Sequence, residues 1–189
     1  MVLAGQLEPV AGKVTGRSGK LPTVGLVPTD RHASGYVGIL SVRENIAIGG
    51  LDILANRFGF VSKKAEDNLV RRLVAETHVR ASSPDQVVGE LSGGNQQKVV
   101  FARAMCRNPE VVVAMSPTRG VDVGAKEQLY ALLRNLADEG LAVVVVSDEH
   151  EEIDQLANRV VFVYEHRVVG ELAGDYHLDD LILRMEGVA

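Results

Sequence analysis

Two runs of the chain, Val111–Met115 and Leu141–Ser147, are apolar almost without a break. A strand with one wet face alternates apolar and polar side chains. A strand covered on both faces has no need to, and that condition belongs to parallel sheets flanked by helices. Val24–Val27 reads the same way, and Arg159–Tyr164 is a fourth β-branched run. Helical spacing separates these runs. Ala125–Ala137 places Leu129, Leu132, Leu133 and Leu136 on one face and stops at Gly140, as helices ending in a glycine do. Glu149–Ala157 and Leu178–Met185 are two more helical segments. Strand alternating with helix predicts an α/β layer architecture around a parallel sheet.

The stretch 41–107 breaks that rhythm. Ser41 followed by Glu44 is a capping-box pair, Lys64–Thr77 is amphipathic through Leu69, Val70, Leu73 and Val74, and Ser92 is placed to cap a helix over Gly93–Cys106. The reading is a helical insertion in the α/β domain, with Ala81–Gln86 as its loop. A length of 189 residues suits one domain, or one with a subdomain, at about 150 residues per domain. Apolar residues make up 46% and charged ones 24%, which excludes disordered, collagen-like and disulfide-rich classes. The formal charge of −5 argues against a nucleic-acid footprint. A single cysteine, Cys106, cannot close an internal disulfide and suits a reducing compartment. No signal peptide is visible, and no apolar run approaches the roughly 18 residues of a membrane span.

The segment richest in chemistry is Leu91-Ser92-Gly93-Gly94-Asn95-Gln96-Gln97-Lys98. Two glycines at a helix start allow close backbone approach, and the free amides and positive dipole end favour an anion such as a terminal phosphate. By itself an S-G-G run also reads as a glycine-tolerant N-cap with nothing bound. The whole octamer, however, resembles the signature sequence of ATP-binding cassette (ABC) ATPases in the form used by sugar importers. Four further segments resemble that family in the same order. They are Val2–Val14, Val27–Gly35 (with Asp30-Arg31), Ser41–Ile46, and Pro117–Lys126, in which Asp122 takes the D-loop position. The resemblance covers nearly the whole chain and is closest to the second ATPase half of a ribose/galactose/xylose-type importer. It implies a P-loop NTPase-like parallel core, truncated at its N-terminus, with residues 1–189 forming part of a nucleotide-binding domain and about 41–107 its helical signature subdomain.

Departures from the family pattern carry as much information. No G-x-x-x-x-G-K-[ST] phosphate loop occurs in the 189 residues; Gly16–Lys20 has a leucine, Leu21, where the hydroxyl should stand, and reads as a turn. In the family that loop would precede Met1, and its strand would lie beside Leu141–Ser147, so an open sheet edge is expected there. The Asp-Glu pair that organises magnesium and attacking water is replaced by Met115-Ser116. The glutamine-loop position is Thr29 and the switch-histidine position is Asp148; His150 reads as an exposed helix-start residue.

What the resemblance then implies is specific. The chain should not hydrolyse ATP by itself. Ser92, Gly93, Gly94, Asn95, Gln96 and Asp122 would serve a nucleotide held by a partner cassette or a second copy, with ATP and magnesium entering only through that partner. Transmembrane permease subunits are implied partners, with the chain cytoplasmic and peripheral at the inner face of the membrane. Two other readings stand beside this one: a regulatory or interaction module built from a decayed cassette, and a DNA-repair or chromosome-structure ATPase head. Pro117–Lys126 and the acidic balance disfavour the last. Asp148, Glu149, Glu151, Glu152 and Asp154 could hold a metal, or form a solvated helix start where acidic side chains are favoured; the second is expected.

Overall fold

The computed structural model describes residues 12–16, 18–174 and 176–187. The chain enters through strand β1 (Val24–Val27) and a single π-helical turn (Arg31–Gly35). Helices α1 (Val42–Ile48), α2 (Leu51–Leu54), α3 (Lys63–Glu76) and α4 (Gly93–Ala104) follow, with no named strand among them. The α/β alternation then resumes with β2 (Val111–Met115), α5 (Val123–Asp138), β3 (Ala142–Val146) and α6 (His150–Leu156). It closes with β4 (Arg159–Tyr164), β5 (Arg167–Ala173) and α7 (Leu178–Met185).

The three apolar runs form one parallel sheet in the order β1-β2-β3. Val24 pairs with Val111 and Val111 with Ala142; at the far ends Val27 pairs with Ala114 and Met115 with Val146. The strands are therefore nearly in register, and their carboxyl ends make one rim. That rim matters because open parallel sheets bind ligands outside the carboxyl ends of their strands.

Helix α4 is the hub. Val99, Val100, Phe101 and Ala102 are consecutive and all buried, so the helix is covered on every side, as an interior helix must be. It packs on α1 and α3 at one side and on β1 and α5 at the other. Close approach to β1 is made possible by Gly25, whose missing Cβ would stand 2.5 Å from the Ala104 carbonyl oxygen. The predicted capping box at α1 is present: Ser41 N donates to Glu44 Oε2 at 2.8 Å and Glu44 N donates to Ser41 Oγ at 3.2 Å.

Several features differ from the sequence reading or refine it. Strand β5 was not anticipated, because Gly170 and Glu171 interrupt its apolar run. It pairs antiparallel with β4 through a tight turn in which Glu165 and His166 both take positive φ, at 47° and 65°, the conformation two-residue hairpins require. Among the described residues β3 pairs only with β2. Gly16 N donates to Lys20 O at 2.7 Å, and residues 18–20 form a turn and bend. Most of the matched segment Val2–Val14 lies outside the described residues. No helix of the described residues is long and apolar enough to cross a membrane.

Candidate functional site

Thr29, Ser116 and Asp148 each lie one or two residues past the end of β1, β2 and β3 respectively. The parallel register brings them to the same rim of the sheet. Ser116 takes φ 43°, a conformation uncommon for a residue with a side chain. Its amide donates to Val146 O at 2.7 Å and so ties the end of β2 to β3. The acidic pair that would hold magnesium has no counterpart: Met115 offers a thioether and Ser116 a hydroxyl, and a hard cation prefers carboxylate oxygen. The residues present do not fit a bound magnesium ion. Asp148 is exposed beyond β3.

Beside this rim lies the first turn of α4. Ser92 is its N-cap, but its side chain caps no amide. Instead Ser92 Oγ accepts from Asn95 Nδ2 at 3.0 Å, while Asn95 Oδ1 accepts from Arg80 N at 2.8 Å. Ser92 is exposed and Gly93 half-buried. The first-turn amides carry the positive end of a 12-residue helix, with no side-chain cap and no acidic residue in the first turn among the described residues.

The other residues of the octamer turn inward. Gly94 is buried, and a Cβ there would stand 2.5 Å from Ala125 Cβ; this glycine lets α4 close on α5. Gln96 is buried and its Nε2 donates to Val88 O at 3.4 Å. Lys98 is 3% exposed, with Nζ donating to Gln128 Oε1 at 2.6 Å and to His78 O at 3.2 Å. Burial, with Arg80 nearby, lowers its pKa. Lys98 thus anchors α4 to α5 and to the end of α3.

Asp122 caps α5, accepting from Ala125 N at 3.0 Å. The loop leading to it, Arg119–Gly120, is held by Arg31, whose two terminal nitrogens donate to Arg119 O at 2.9 Å and Gly120 O at 3.0 Å. Sequence reasoning could not link these residues, because Arg31 and Arg119 are 88 positions apart. The Asp30-Arg31 pair was the only hint.

The acidic stretch at α6 divides. Glu152, expected on a solvated helix start, is 1% exposed and bonded to Thr118. Glu149 pairs with Lys126 at 2.9 Å. Among the described residues no group of three or more His, Cys, Asp or Glu side chains is placed to hold a metal. His150 begins α6 and is exposed.

With this geometry in view, the comparisons with known proteins are direct. Residues 1–119 match the model of the family described as ABC transporter. The chain belongs to the ABC transporter family. It is 42% identical over 157 residues to the ribose import ATP-binding protein RbsA 2 of Rubrobacter xylanophilus, covering 83% of this chain and 30% of that protein. It is 36% identical over 149 residues to the xylose import ATP-binding protein XylG of Escherichia coli K12, covering 79% and 29%. The chain therefore spans about 30% of the length of the curated relatives it matches. Among solved structures it is similar to the dimeric, ADP- and phosphate-bound ATP-binding cassette MJ0796, with a TM-score of 0.66, 24% identity, and coverage of 82% of this chain and 64% of that one. A second dimeric structure of MJ0796 gives 0.67 at 23% identity, with the same coverage. At that identity the structures establish the fold of this ABC chain and nothing more.

Proposed function

We propose that the chain is an ATP-binding component of a carbohydrate ABC importer, and that it lends its signature turn to a nucleotide held by a partner cassette. Residues 41–107 would be the signature-bearing helical subdomain of its nucleotide-binding domain. Ser92, Gly93 and Asn95 would face the partner's terminal phosphate through the uncapped first turn of α4, with Asp122 beside it; Gly94 and Gln96 would set the helix in place. The relatives named as ribose and xylose import ATP-binding proteins support the importer reading. The observation that carries the degenerate half is the sheet rim, where Thr29, Met115 and Ser116 supply no carboxylate at the ends of β1 and β2. ATP and magnesium would be organised by the partner cassette, and permease subunits would hold the assembly at the inner face of the membrane.

The test is turnover by this chain alone and with an importer cassette that retains its own phosphate loop and acidic pair. The chain alone is expected to show none; magnesium-dependent turnover at about 1 per second, within the usual range, overturns the degenerate reading. In the pair, Ser92→Arg is expected to abolish the stimulated turnover, since a bulky cation would fill the anion position. Ser92 suits this test better than Gly93, because an aspartate at 93 would stand next to Arg31 and pair with it. Unchanged turnover with Ser92→Arg would favour an interaction module instead.

A further inference from the structure

We propose that Arg31 is a positioning residue, a strut that sets the gap between the first turn of α4 and the Arg119–Asp122 loop; this rests on the reading of the signature turn given above. Arg31 reaches three segments at once. Its Nη1 and Nη2 donate to the consecutive carbonyls of Arg119 and Gly120 at 2.9 and 3.0 Å. Its Nη2 also lies 3.1 Å from where a Cβ on Gly93 would be, and that same point lies 3.5 Å from Gly120 O. The guanidinium is thus wedged between the glycine that opens α4 and the glycine that turns the loop.

The base of the strut is fixed independently. Asp30 Oδ1 accepts from His32 N and Ala33 N at 2.9 and 3.0 Å, closing the π-helical turn. Gly35, at the end of the turn, is buried against Val100 in the middle of α4, and its carbonyl accepts from Arg103 Nη1 at 2.9 Å. The turn is therefore anchored to the middle and end of α4, while its arginine reaches the helix start.

Two features separate this from ordinary packing. A cation beside a helix N-terminus has the wrong sign for helix stability, and Arg31 Nε is buried without a partner among the described residues, which also costs free energy. The arrangement is therefore expensive for the fold, as strained arrangements at working sites are. The fork is also specific: two nitrogens on one rigid plane reach two successive carbonyls, which the single ammonium of lysine cannot reproduce. Through Arg31 the segment following Thr29, the signature turn and the loop to Asp122 move as one body.

The experiment uses Arg31→Lys and Arg31→Gln in the full chain, with Ser92→Arg as the control on the signature reading. In the chain alone, amide exchange is followed at Arg119 and Val121, whose N–H groups bond to Ser116 O and Thr118 O. Both Arg31 variants are expected to speed exchange there about fivefold, leaving the β2 amides unchanged. Paired with the competent cassette, they are expected to lower kcat about tenfold with little change in KM for ATP, since misplacement rather than lost contact is the cause. If Ser92→Arg abolishes turnover while both Arg31 variants keep wild-type kcat or wild-type exchange, the strut assignment is overturned and the signature reading stands. If Ser92→Arg changes nothing, the signature reading falls and the role of Arg31 in the ATP site falls with it.

Discussion

Thr118 Oγ1 donates to Glu152 Oε1 at 2.7 Å in the interior of the protein, where Thr118 is 0% and Glu152 1% exposed. The Thr118 amide donates to the same oxygen at 3.2 Å, and Glu152 Oε2 has no partner among the described residues. One buried carboxyl thus ties α6, which follows β3, to the loop that leaves β2. Removing the carboxyl orphans both the Thr118 hydroxyl and the Thr118 amide, whereas replacing the hydroxyl as well leaves only the amide without its acceptor. Thr118→Val and Glu152→Leu are each expected to cost about 1–3 kcal/mol in urea unfolding. The double variant should be more stable than Glu152→Leu alone. Additive losses would show that the pair is not coupled.

Gly94 offers a sign test of packing. In an exposed helix, replacing glycine with alanine gains about 1 kcal/mol. Here the new methyl would stand 2.5 Å from Ala125 Cβ, in the contact between α4 and α5. Gly94→Ala is therefore expected to destabilise by about 1–3 kcal/mol, as overpacking does, and Ala125→Gly in the same chain should recover part of the loss. A stabilised Gly94→Ala variant would mean that α4 can move away from α5 freely.

These two contacts mark where the sequence stops being legible. The strands β1, β2 and β3 were readable from their apolar runs, but the expected burial on both faces holds only for β2; β3 has no buried residue, and Val146 is 50% exposed. Helix α5 was readable because Leu129, Leu132, Leu133 and Leu136 repeat at helical spacing. Strand β5 was not, since Gly170 and Glu171 hide its pattern and no Asn-Gly marks its turn. At the site, Ser92 and Gly93 were legible as a helix start, but Ser92 was expected to cap it and its side chain caps no amide. That Gly94, Gln96 and Lys98 face inward was not, because a helix of 12 residues surrounded by neighbours has no wet face to show in its periodicity. Glu152 was read as solvated for the same reason: its burial depends on Thr118, 34 positions away, and no local rule reports a contact at that distance.

The capping box of α1 sets a pH dependence. Hydrogen bonds from the Ser41 hydroxyl and then from the Ser41 amide hold the Glu44 carboxyl below its ordinary value of 4.5. A carboxyl depressed in the folded state stabilises above the unfolded pKa, and that stabilisation is lost as pH falls through the folded value. Glu44→Gln should therefore lower the unfolding midpoint at pH 7 and approach wild type as pH falls from the ordinary value of 4.5 through the depressed folded one. A constant difference between the two proteins across that range would assign the effect to the side chain's shape, not its charge.

Cys106 is expected to be inert in the native protein. It lies wholly buried at the end of α4, and its Sγ donates to Ile46 O at 2.9 Å. Burial raises its pKa to about 11, with Arg72, Arg103 and Arg107 opposing the shift only in part. The thiolate is the reactive species, so at pH 8 both access and ionisation are withheld. An aromatic disulfide reagent should therefore label Cys106 at the rate of local or global opening and reach full labelling at once in denaturing urea. Ile46 belongs to α1 and Cys106 follows α4, so labelling reports separation of those two helices. Gly94→Ala, which strains the opposite side of α4, should accelerate labelling in proportion to its loss of stability if the domain opens as one unit. Native labelling that is immediate and insensitive to that variant would show that the α1 side of α4 opens independently of the sheet.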